Sequence, residues 1–371
     1  MSYIRQSTAI ICLSSNFGGM ELDAIKLAKK LSPYMKVTLV TKANGFTERN
    51  FDKYFDKSDE VSLESIAFKS SLSFNIFKKA RGIIKKCNIK NIIYFGASEL
   101  KSLYFSFIGF EINLIVRHGT TKSTPKKDIF HKLIYSKVNY HVSICKHLQK
   151  NVRYIIPFGK NSKEILIYSS IKFEDSKKIK NDKITLVHTG RINRGKGQID
   201  AIKACQVLVD NGIDFIFYIV GGYEKGFEDE FNEFYNIVEY KNKIKLVGFS
   251  NEVKRYLDKS DIYIFPSYGE GLSNSFLEAL ASGTFCISYS NTSFPELKEL
   301  GFDFNIVENK NIDKLKENLL AIVENKITVN SEKNKKLIKE LFSEEVEINK
   351  YLEILKWKIL KWYLSQVEQV I

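Results

Sequence analysis

The stretch ITLVHTGRINRGKGQIDAIKACQVLV, residues 184–209, has the sequence pattern of a strand, a tight turn and a helix. An apolar run, ITLVH, leads into a glycine-rich turn, TGRINRGKG (residues 189–197), and then into a segment with helical periodicity. A buried strand that turns tightly into a helix is the unit from which helix-covered parallel sheets are built. The turn also nearly matches the phosphate-binding loop G-x-x-x-x-G-K-[ST], so it is the first candidate for a ligand site.

The same alternation of short apolar runs and helical stretches runs through most of the chain. Candidate strands are TAIICLS, KVTLVTK, NIIYFG, INLIVRH and NYHVSI in the first half, and ITLVHTG, DFIFYIVGG, KIKLVGFS, DIYIFPS and TFCISYS in the second. The charged, aperiodic stretch at 172–183 is predicted to be a linker. We therefore predict an α/β protein with two Rossmann-like domains, residues 1–171 and 183–344. Ligands are expected at the C-terminal strand ends, in a cleft between the domains.

Composition limits the class of protein. The chain of 371 residues is 44% hydrophobic, enough for two cores of ordinary size, which excludes a disordered protein. Its five cysteines are scattered without a C-x-x-C pair, so neither a disulfide framework nor a zinc site is indicated. The N-terminal run AIICL is too short for a signal peptide, and no run reaches the roughly 18 apolar residues of a membrane span. A cytoplasmic protein is predicted.

The net charge of +14 raises the question of an anionic partner. Only eight of the 57 basic residues are Arg, and the Lys residues occur in nearly every segment. Base reading and bidentate phosphate capture favour Arg, so nucleic acid is not the predicted partner. A basic face toward an anionic membrane or an acidic glycan remains as the interpretation.

The glycine-rich turn is not predicted to bind a nucleoside triphosphate with magnesium. A P-loop needs Ser or Thr after its Lys to ligate the metal, and Gly197 stands there. Two cations, Arg191 and Lys196, and the start of the following helix can instead neutralise a diphosphate without a metal. The alternative is a glycine turn with solvated basic residues.

A second candidate motif is PSYGEGLSNSFLEALASGTFCIS, residues 266–288. Its helix is expected to begin near Ser273 or Asn274 and to end at Gly283. Glu270 then lies in the preceding loop, and Glu278 lies one turn into the helix. A carboxylate there can accept paired hydrogen bonds from the vicinal hydroxyls of a ribose, while nearby amides hold phosphate oxygens. The alternative is a helix start that simply favours an acid.

The order G-R-x-x-x-x-K-G and then E-G-[FL]-x-x-x-x-x-E-A resembles the nucleotide-sugar-dependent glycosyltransferases of family 4, which have the GT-B fold. The resemblance covers about residues 183–325, and more loosely NFGGMELDAIKLAKKL and VRHGT. It implies that Arg191 and Lys196 bind the donor diphosphate and Glu278 the ribose. It implies catalytic contacts to the sugar from Glu270 and His118. Further substrate contacts are implied for Gly18, Gly19, Val247, Phe249, Gly271, Leu272, Ser273 and Asn274.

His118 follows an apolar strand and precedes Gly119, so the alternative to a sugar contact is a histidine that caps a turn. The other histidines, His131, His141, His147 and His188, show no metal-ligand spacing and are predicted to be structural, with His188 flanking the phosphate loop. No D-x-D triplet is found, so no metal is predicted.

The resemblance implies a retaining transferase for hexosyl or N-acetylhexosaminyl groups. Its donor would be a nucleotide diphosphate sugar, UDP-sugar first, and its acceptor a glycan or lipid-linked glycan. The setting would be bacterial envelope polysaccharide such as capsule or lipopolysaccharide, made in the cytoplasm or at the inner face of its membrane. Two alternatives stay open: a nucleotide-sugar epimerase, and a non-catalytic nucleotide-sugar-binding subunit of a glycosyltransferase complex.

The C-terminal segment places Leu352, Leu355, Ile359 and Trp362 at helical spacing, with Lys residues between them. We predict a helix over about 345–371 that packs back on the first domain. The alternative is a helix lying on an anionic membrane surface.

Overall fold

The chain folds as two compact units, which a computed structural model describes over residues 7–15, 18–96, 98–172, 178–179 and 181–355. The first unit is Met1–Ser169 together with Glu344–Ile371, and the second is Ser170–Ser343. Each is a parallel sheet covered by helices, as the alternation of the sequence predicts.

The first unit has seven strands and eight helices within its described residues. The strands are β1 (Ser7–Cys12), β2 (Lys36–Lys42), β3 (Val61–Ile66), β4 (Ile89–Phe95), β5 (Asn113–His118), β6 (Tyr140–Ser143) and β7 (Lys163–Leu166). The helices are α1 (Gly19–Leu31), α2 (Phe46–Arg49), α3 (Phe51–Tyr54), α4 (Phe74–Lys86), α5 (Leu100–Ser106), α6 (Ile129–Tyr135), α7 (Lys146–Ile155) and α15 (Glu344–Ile354).

The sheet of the first unit has the order β3-β2-β1-β4-β5-β6-β7, with all neighbours parallel. Alternate residues of β1 point to opposite faces: Ala9 and Ile11 pack with α4 to α7, whereas Ile10 and Cys12 pack with α1 and α15. Burial on both faces is why the central strands read as continuous apolar runs.

The second unit has six strands and seven α-helices within its described residues. The strands are β8 (Ile184–Thr189), β9 (Phe215–Val220), β10 (Ile244–Gly248), β11 (Ile262–Phe265), β12 (Phe285–Tyr289) and β13 (Asn305–Val307). The helices are α8 (Gln198–Asp210), α9 (Glu228–Asn236), α10 (Val253–Lys259), α11 (Asn274–Ala281), α12 (Phe294–Glu299), α13 (Ile312–Val323) and α14 (Ser331–Leu341).

The second sheet has the order β10-β9-β8-β11-β12-β13, so the direction of strand addition reverses between β8 and β11. Ligands of open parallel sheets bind beyond the carboxyl ends of the strands at such a switch point. The two candidate motifs of the sequence follow β8 and β11. The fold therefore brings both to one edge.

The stretch predicted as a linker, 172–183, belongs in its described part to the second unit. The Lys178 amine donates to the carbonyls of Leu257 and Ser260, each at 2.8 Å, and burial lowers its pKa to about 8. The Ile179 amide donates to the Asp258 carbonyl at 3.1 Å. Residues 178 and 179 of this stretch are therefore bonded to the second unit.

The described part of the predicted C-terminal helix, α15, packs on the first unit as predicted. Lys30 and Glu347 form an ion pair at 2.8 Å, and Asn113 Nδ2 donates to the Ile354 carbonyl at 2.8 Å. Tyr351 is fully buried in the same core as α1. Residues 356–371, with Ile359 and Trp362, lie outside the described residues.

Candidate functional site

The loop after β8 is a tight, internally bonded turn. Gly190 and Gly197 have φ values of +133° and +76°, which side chains rarely adopt. The Asn193 side-chain oxygen accepts from the amides of Gly195 at 2.9 Å and Lys196 at 3.0 Å. These bonds fix the path of the backbone beneath the two predicted cations.

His188, at the end of β8, supports this loop from below. It is fully buried, and its Nε2 lies 2.8 Å from the Lys196 carbonyl. Burial lowers the pKa of His188 to about 4, so the ring is neutral at physiological pH and Nε2 is the nitrogen that donates. The structural role predicted for His188 matches this placement.

The loops after β8 and β11 are held against each other by backbone contacts. The Gly195 carbonyl accepts from the Tyr268 amide at 2.9 Å and from the Ser267 hydroxyl at 3.0 Å. A Cβ on Gly197 would lie only 2.0 Å from the Pro266 carbonyl oxygen. Glycine at 197 is therefore required by both the backbone angle and the close approach.

The central feature of the site is an ion pair between Lys196 and Glu270. Lys196 Nζ lies 2.7 Å from Glu270 Oε1, and the side chains are 25% and 13% exposed. The same carboxylate oxygen accepts from Ser267 Oγ at 2.9 Å. The ammonium also lies 5.4 Å from the centre of the Phe265 ring. The structure thus joins residues for which the resemblance implies separate roles, one at the diphosphate and one at the sugar.

The backbone of Glu270 is positioned by residues that sequence reasoning missed. The Glu270 amide donates to Thr292 Oγ1 at 3.0 Å, and Asn291 Nδ2 donates to the Ser267 carbonyl at 2.7 Å. These residues follow β12, the neighbour of β11 in the sheet. The Asn-Thr pair after an apolar strand is the sequence signal that could have indicated them.

The predicted helix after Glu270 is present as α11. Ser273 is its N-cap, with its hydroxyl accepting from the Phe276 amide at 3.4 Å, and the helix ends before Gly283. Leu272 and Ser273 are buried, while Gly271, Asn274 and Glu278 are half-buried. Glu278 lies one turn into the helix, as the spacing predicts.

Arg191 is exposed on the loop after β8. Its carbonyl accepts from Gln198 Nε2 at 3.0 Å, which ties the loop to the start of α8. The exposed Arg191 is therefore carried on a fixed backbone. This placement suits a cation that contacts a ligand at the sheet edge.

The first turn of α8 contains a buried carboxylate, Asp200, that was not among the candidate residues. Its Oδ2 accepts from the hydroxyls of Tyr268 and Tyr289, both at 2.9 Å. The two rings stack nearly parallel, with centroids 6.3 Å apart. Burial and the bond to Asp200 raise the pKa of Tyr268 to about 12. The helix start predicted to attract a ligand anion thus already holds an anion of its own.

Removing one of these hydroxyls is expected to weaken the second unit. Tyr289→Phe should lower the free energy of unfolding by about 1.5–3 kcal/mol, because a buried hydrogen bond to a charged group is lost. Tyr154→Phe is the control, since its ring is 63% exposed, and it should change the value by less than about 0.5 kcal/mol. Urea unfolding compares the two. Equal values for both variants would contradict the assignment.

Val247 and Phe249, for which the resemblance implies substrate contacts, lie at the end of the edge strand β10. Val247 is half-buried, whereas the Phe249 ring is 68% exposed beside Gly222. Gly248, between them, has φ +75° and its carbonyl accepts from the Gly221 amide at 2.8 Å. An exposed ring at this edge offers a face on which a base can stack.

His118, a candidate residue of the first unit, is buried beside a second histidine. His118 is 2% exposed, and its Nε2 lies 3.1 Å from Nδ1 of the buried His141. Burial, and then the neighbouring His141, lower the pKa of His118 well below 6.5, while burial lowers that of His141 to about 4. Both rings are neutral. The contact of His118 with a sugar stays a prediction.

Gly18 and Gly19 lie at the start of α1, after β1. Gly18 is the extended N-cap residue, and a Cβ on Gly19 would meet no atom within 4 Å. The strand order reverses beside β1 in this sheet as well, between β1 and β4. Both glycines therefore lie at the carboxyl edge of the first sheet, and their contact with a substrate stays a prediction.

Among residues 7–15, 18–96, 98–172, 178–179 and 181–355, no three His, Cys, Asp or Glu side chains cluster as metal ligands. Over the same described residues, none of the helices has both the length and the apolar character to cross a bilayer.

Comparison with known proteins finds a family similar to the second unit. Residues 169–341 match the sequence profile described as "Glycosyl transferases group 1". These bounds agree closely with Ser170–Ser343. They also contain Arg191, Lys196, Glu270 and Glu278.

Curated relatives are similar over part of their length. An uncharacterized glycosyltransferase of Methanocaldococcus jannaschii is 29% identical over 240 residues, 60% of this chain and 59% of that protein. The UDP-Gal:alpha-D-GlcNAc-diphosphoundecaprenol alpha-1,3-galactosyltransferase of Escherichia coli is 25% identical over 151 residues, 40% of this chain and 39% of that protein. The match thus spans less than two thirds of either relative.

Solved structures share the whole fold. The Anabaena protein HepE, solved in complex with UDP and glucose, superposes with a TM-score of 0.77 at 15% identity, covering 95% of this chain and 99% of HepE. The likeness at this identity establishes the architecture, two parallel-sheet Rossmann-like domains, which confirms the predicted GT-B fold. In sequence, residues 169–341 of this chain are thus similar to the group 1 glycosyl transferases.

Proposed function

We propose that the chain is a retaining glycosyltransferase of family 4 that works without a metal. It transfers a hexosyl or N-acetylhexosaminyl group from a nucleotide diphosphate sugar to a hydroxyl of a glycan or lipid-linked glycan. The observation that carries this proposal is the Lys196–Glu270 pair, 2.7 Å apart at the switch point of the second sheet. A cation for the leaving diphosphate and a carboxylate for the sugar stand side by side.

In this proposal the charge of the leaving group is stabilised by the chain itself. Lys196 and Arg191 face the diphosphate, and the loop amides beside Gly271 and Ser273 donate to phosphate oxygens. Donors that are fixed before reaction stabilise developing charge without reorganisation. The internal bonds of the two loops provide that fixation.

The transfer proceeds on one face of the donor sugar. The bond from the anomeric carbon to the β-phosphate oxygen breaks, and the acceptor oxygen bonds to that carbon from the same side. The acceptor's proton passes to an oxygen of the departing diphosphate. Glu270 holds the sugar hydroxyls rather than attacking, and Glu278 binds the ribose near the base surface at Phe249.

The donor and acceptor classes are supported by the relatives. The Escherichia coli relative is named for a UDP-sugar donor and a lipid-diphosphate acceptor, and HepE was solved with UDP and glucose. We therefore propose UDP-sugar as the first donor to test. Assembly of bacterial envelope polysaccharide, at the cytoplasmic face of the membrane, is the proposed setting.

A thermal-shift panel of UDP, GDP, ADP and CMP, with EDTA present, tests the diphosphate site. Binding at a hundredfold excess over Kd adds about 2.7 kcal/mol of stability. Lys196→Ala should weaken the responding nucleotide roughly tenfold to a hundredfold, as loss of a charged hydrogen bond does. Arg191→Ala should act in the same direction.

Lys203→Ala is the control, because Lys203 is exposed on α8 beside the Phe234 ring. An EDTA-sensitive shift, or equal shifts in all variants, would contradict the metal-free site. Incubating the donor sugar without acceptor separates the epimerase alternative, which would yield an altered donor.

A further inference from the structure

Lys occurs in nearly every segment of the chain, but the excess of basic over acidic residues is concentrated in one of them. Residues 119–163 contain ten Lys or Arg and one acid, Asp128, so these 45 residues carry a net charge of +9 out of +14 for the chain. The basic residues are Lys122, Lys126, Lys127, Lys132, Lys137, Lys146, Lys150, Arg153, Lys160 and Lys163. The excess belongs to one part of the first unit.

Helix α6, within this segment, exposes large apolar side chains. Ile129 is 85% exposed, Leu133 47% and Phe130 41%. The opposite face of α6 packs in the core, where Ile134 and Tyr135 are buried. Packing of the first unit therefore does not explain why Ile129, Phe130 and Leu133 are apolar. Exposed apolar groups of this kind mark interaction sites.

The end of α7 extends this surface. The Lys126 amide donates to the Ile155 carbonyl at 2.8 Å, which places the start of α6 beside the end of α7. Lys127 Nζ lies 6.0 Å from the ring of Tyr154, which is 63% exposed. We call Lys126, Lys127, Ile129, Phe130, Leu133 and Tyr154 the α6 patch.

The single acid of the segment does not neutralise the lysines of the α6 patch. Asp128 Oδ1 accepts from the His131 amide at 3.0 Å, and its Oδ2 lies 2.5 Å from His131 Nδ1. Within the described part of the chain, neither Lys126 nor Lys127 forms an ion pair with an acidic side chain. Lys127 is exposed and Lys126 is half-buried, and both lie close in sequence to the exposed apolar residues of α6.

We propose that the α6 patch docks on the surface of an anionic lipid bilayer. Apolar side chains of a surface helix enter the boundary between headgroups and acyl chains, while neighbouring lysines bind anionic headgroups. Ile129, Phe130 and Leu133 supply the first contact, and Lys126 and Lys127 supply the second. A second copy of this chain does not fit the patch, because a symmetric contact would bring two +9 segments together.

Flotation of the full chain with vesicles tests this docking. The protein should float with vesicles of phosphatidylcholine and phosphatidylglycerol and not with phosphatidylcholine alone. K126E combined with K127E should lower the binding constant by at least about 25-fold, because each lysine contributes roughly fivefold at an anionic surface. I129S combined with F130S and L133S should abolish flotation at low salt.

Matched controls come from exposed residues elsewhere. I237S replaces an isoleucine that is 78% exposed in the second unit, and K57E combined with K225E reverses two exposed lysines outside the patch. These controls should float like the original chain. Transfer to a water-soluble acceptor should be unchanged in every patch variant, so docking and the proposed reaction can fail separately.

Three results would overturn the proposal. They are no flotation of the original chain with either vesicle, flotation of the patch variants equal to the controls, and a monomer–dimer equilibrium that the patch variants abolish while flotation persists. The second result would assign membrane binding to another surface. The third would assign the α6 patch to self-association.

Discussion

Glu270→Ala is expected to lower kcat by about 10²–10³-fold, the loss typical of one preorganised charged contact at a reacting centre. The affinity for the nucleoside diphosphate should be unchanged or higher. The reason is the ion pair at 2.7 Å: without Glu270, the Lys196 ammonium no longer divides its interactions between a carboxylate and a phosphate. Steady-state kinetics with the donor and calorimetric binding of the nucleoside diphosphate measure the two effects.

Two further variants test whether the loss of kcat is specific to Glu270. Glu308→Ala removes an exposed carboxylate after β13 and should leave kcat unchanged. Glu278→Ala should mainly raise KM for the donor, because its proposed contact is with the ribose. A Glu270→Ala enzyme with near-normal kcat would remove Glu270 from the reaction.

Gly197→Ala is expected to lower the free energy of unfolding by about 2–5 kcal/mol and to abolish nucleotide binding. A side chain at φ +76° costs about 1–2 kcal/mol, and an overlap within a packed contact adds about 1–3 kcal/mol. The new Cβ would lie 2.0 Å from the Pro266 carbonyl oxygen, so the loops after β8 and β11 must separate. Urea unfolding and the nucleotide-induced thermal shift measure both losses.

Gly212→Ala isolates the backbone part of this effect. Gly212 has φ +67°, and a Cβ there would meet no atom within 4 Å. Its expected cost is therefore only about 1–2 kcal/mol, with nucleotide binding retained. If both variants lose the same stability, the contact between Gly197 and Pro266 contributes nothing to the fold.

The strands predicted from the sequence lie, apart from β10, in the interior of a sheet. β1, β4 and β8 are buried on both faces, and burial produces the continuous apolar runs that mark them. The missed strands, β3, β7 and β13, are all at sheet edges. Edge strands are partly exposed, so VSLESI and KEIL mix polar and apolar residues and lack a clear signal.

The candidate site also has one part that can be predicted from the sequence and one part that cannot. Placement of the loops after β8 and β11 is predictable, because parallel strands bring their carboxyl ends to one edge. The side-chain pairs are not. Joining Lys196 to Glu270, or Asp200 to two tyrosines, depends on rotamers and on contacts between segments about 70 to 90 residues apart.

The pairing of His118 with His141 shows most clearly which contacts cannot be predicted from the sequence. Val116 lies opposite His141 in the register of β5 and β6, and His118 is two residues further on the same face. The two rings therefore meet diagonally across the strands. A one-residue change in register would send them to opposite faces, and neither strand alone contains that information.

The return of α15 to the first unit also sets an order of events during synthesis. The second unit is continuous, so all of Ser170–Ser343 has been made before the ribosome reaches Glu344. The first unit receives Glu347 and Tyr351, which pack beside Lys30 and α1, only after the second unit has been translated. A chain stopped at residue 343 would contain a finished second unit and a first unit with apolar surface of α1 uncovered. The first unit, which is translated first, is thus completed only after the second unit has been made.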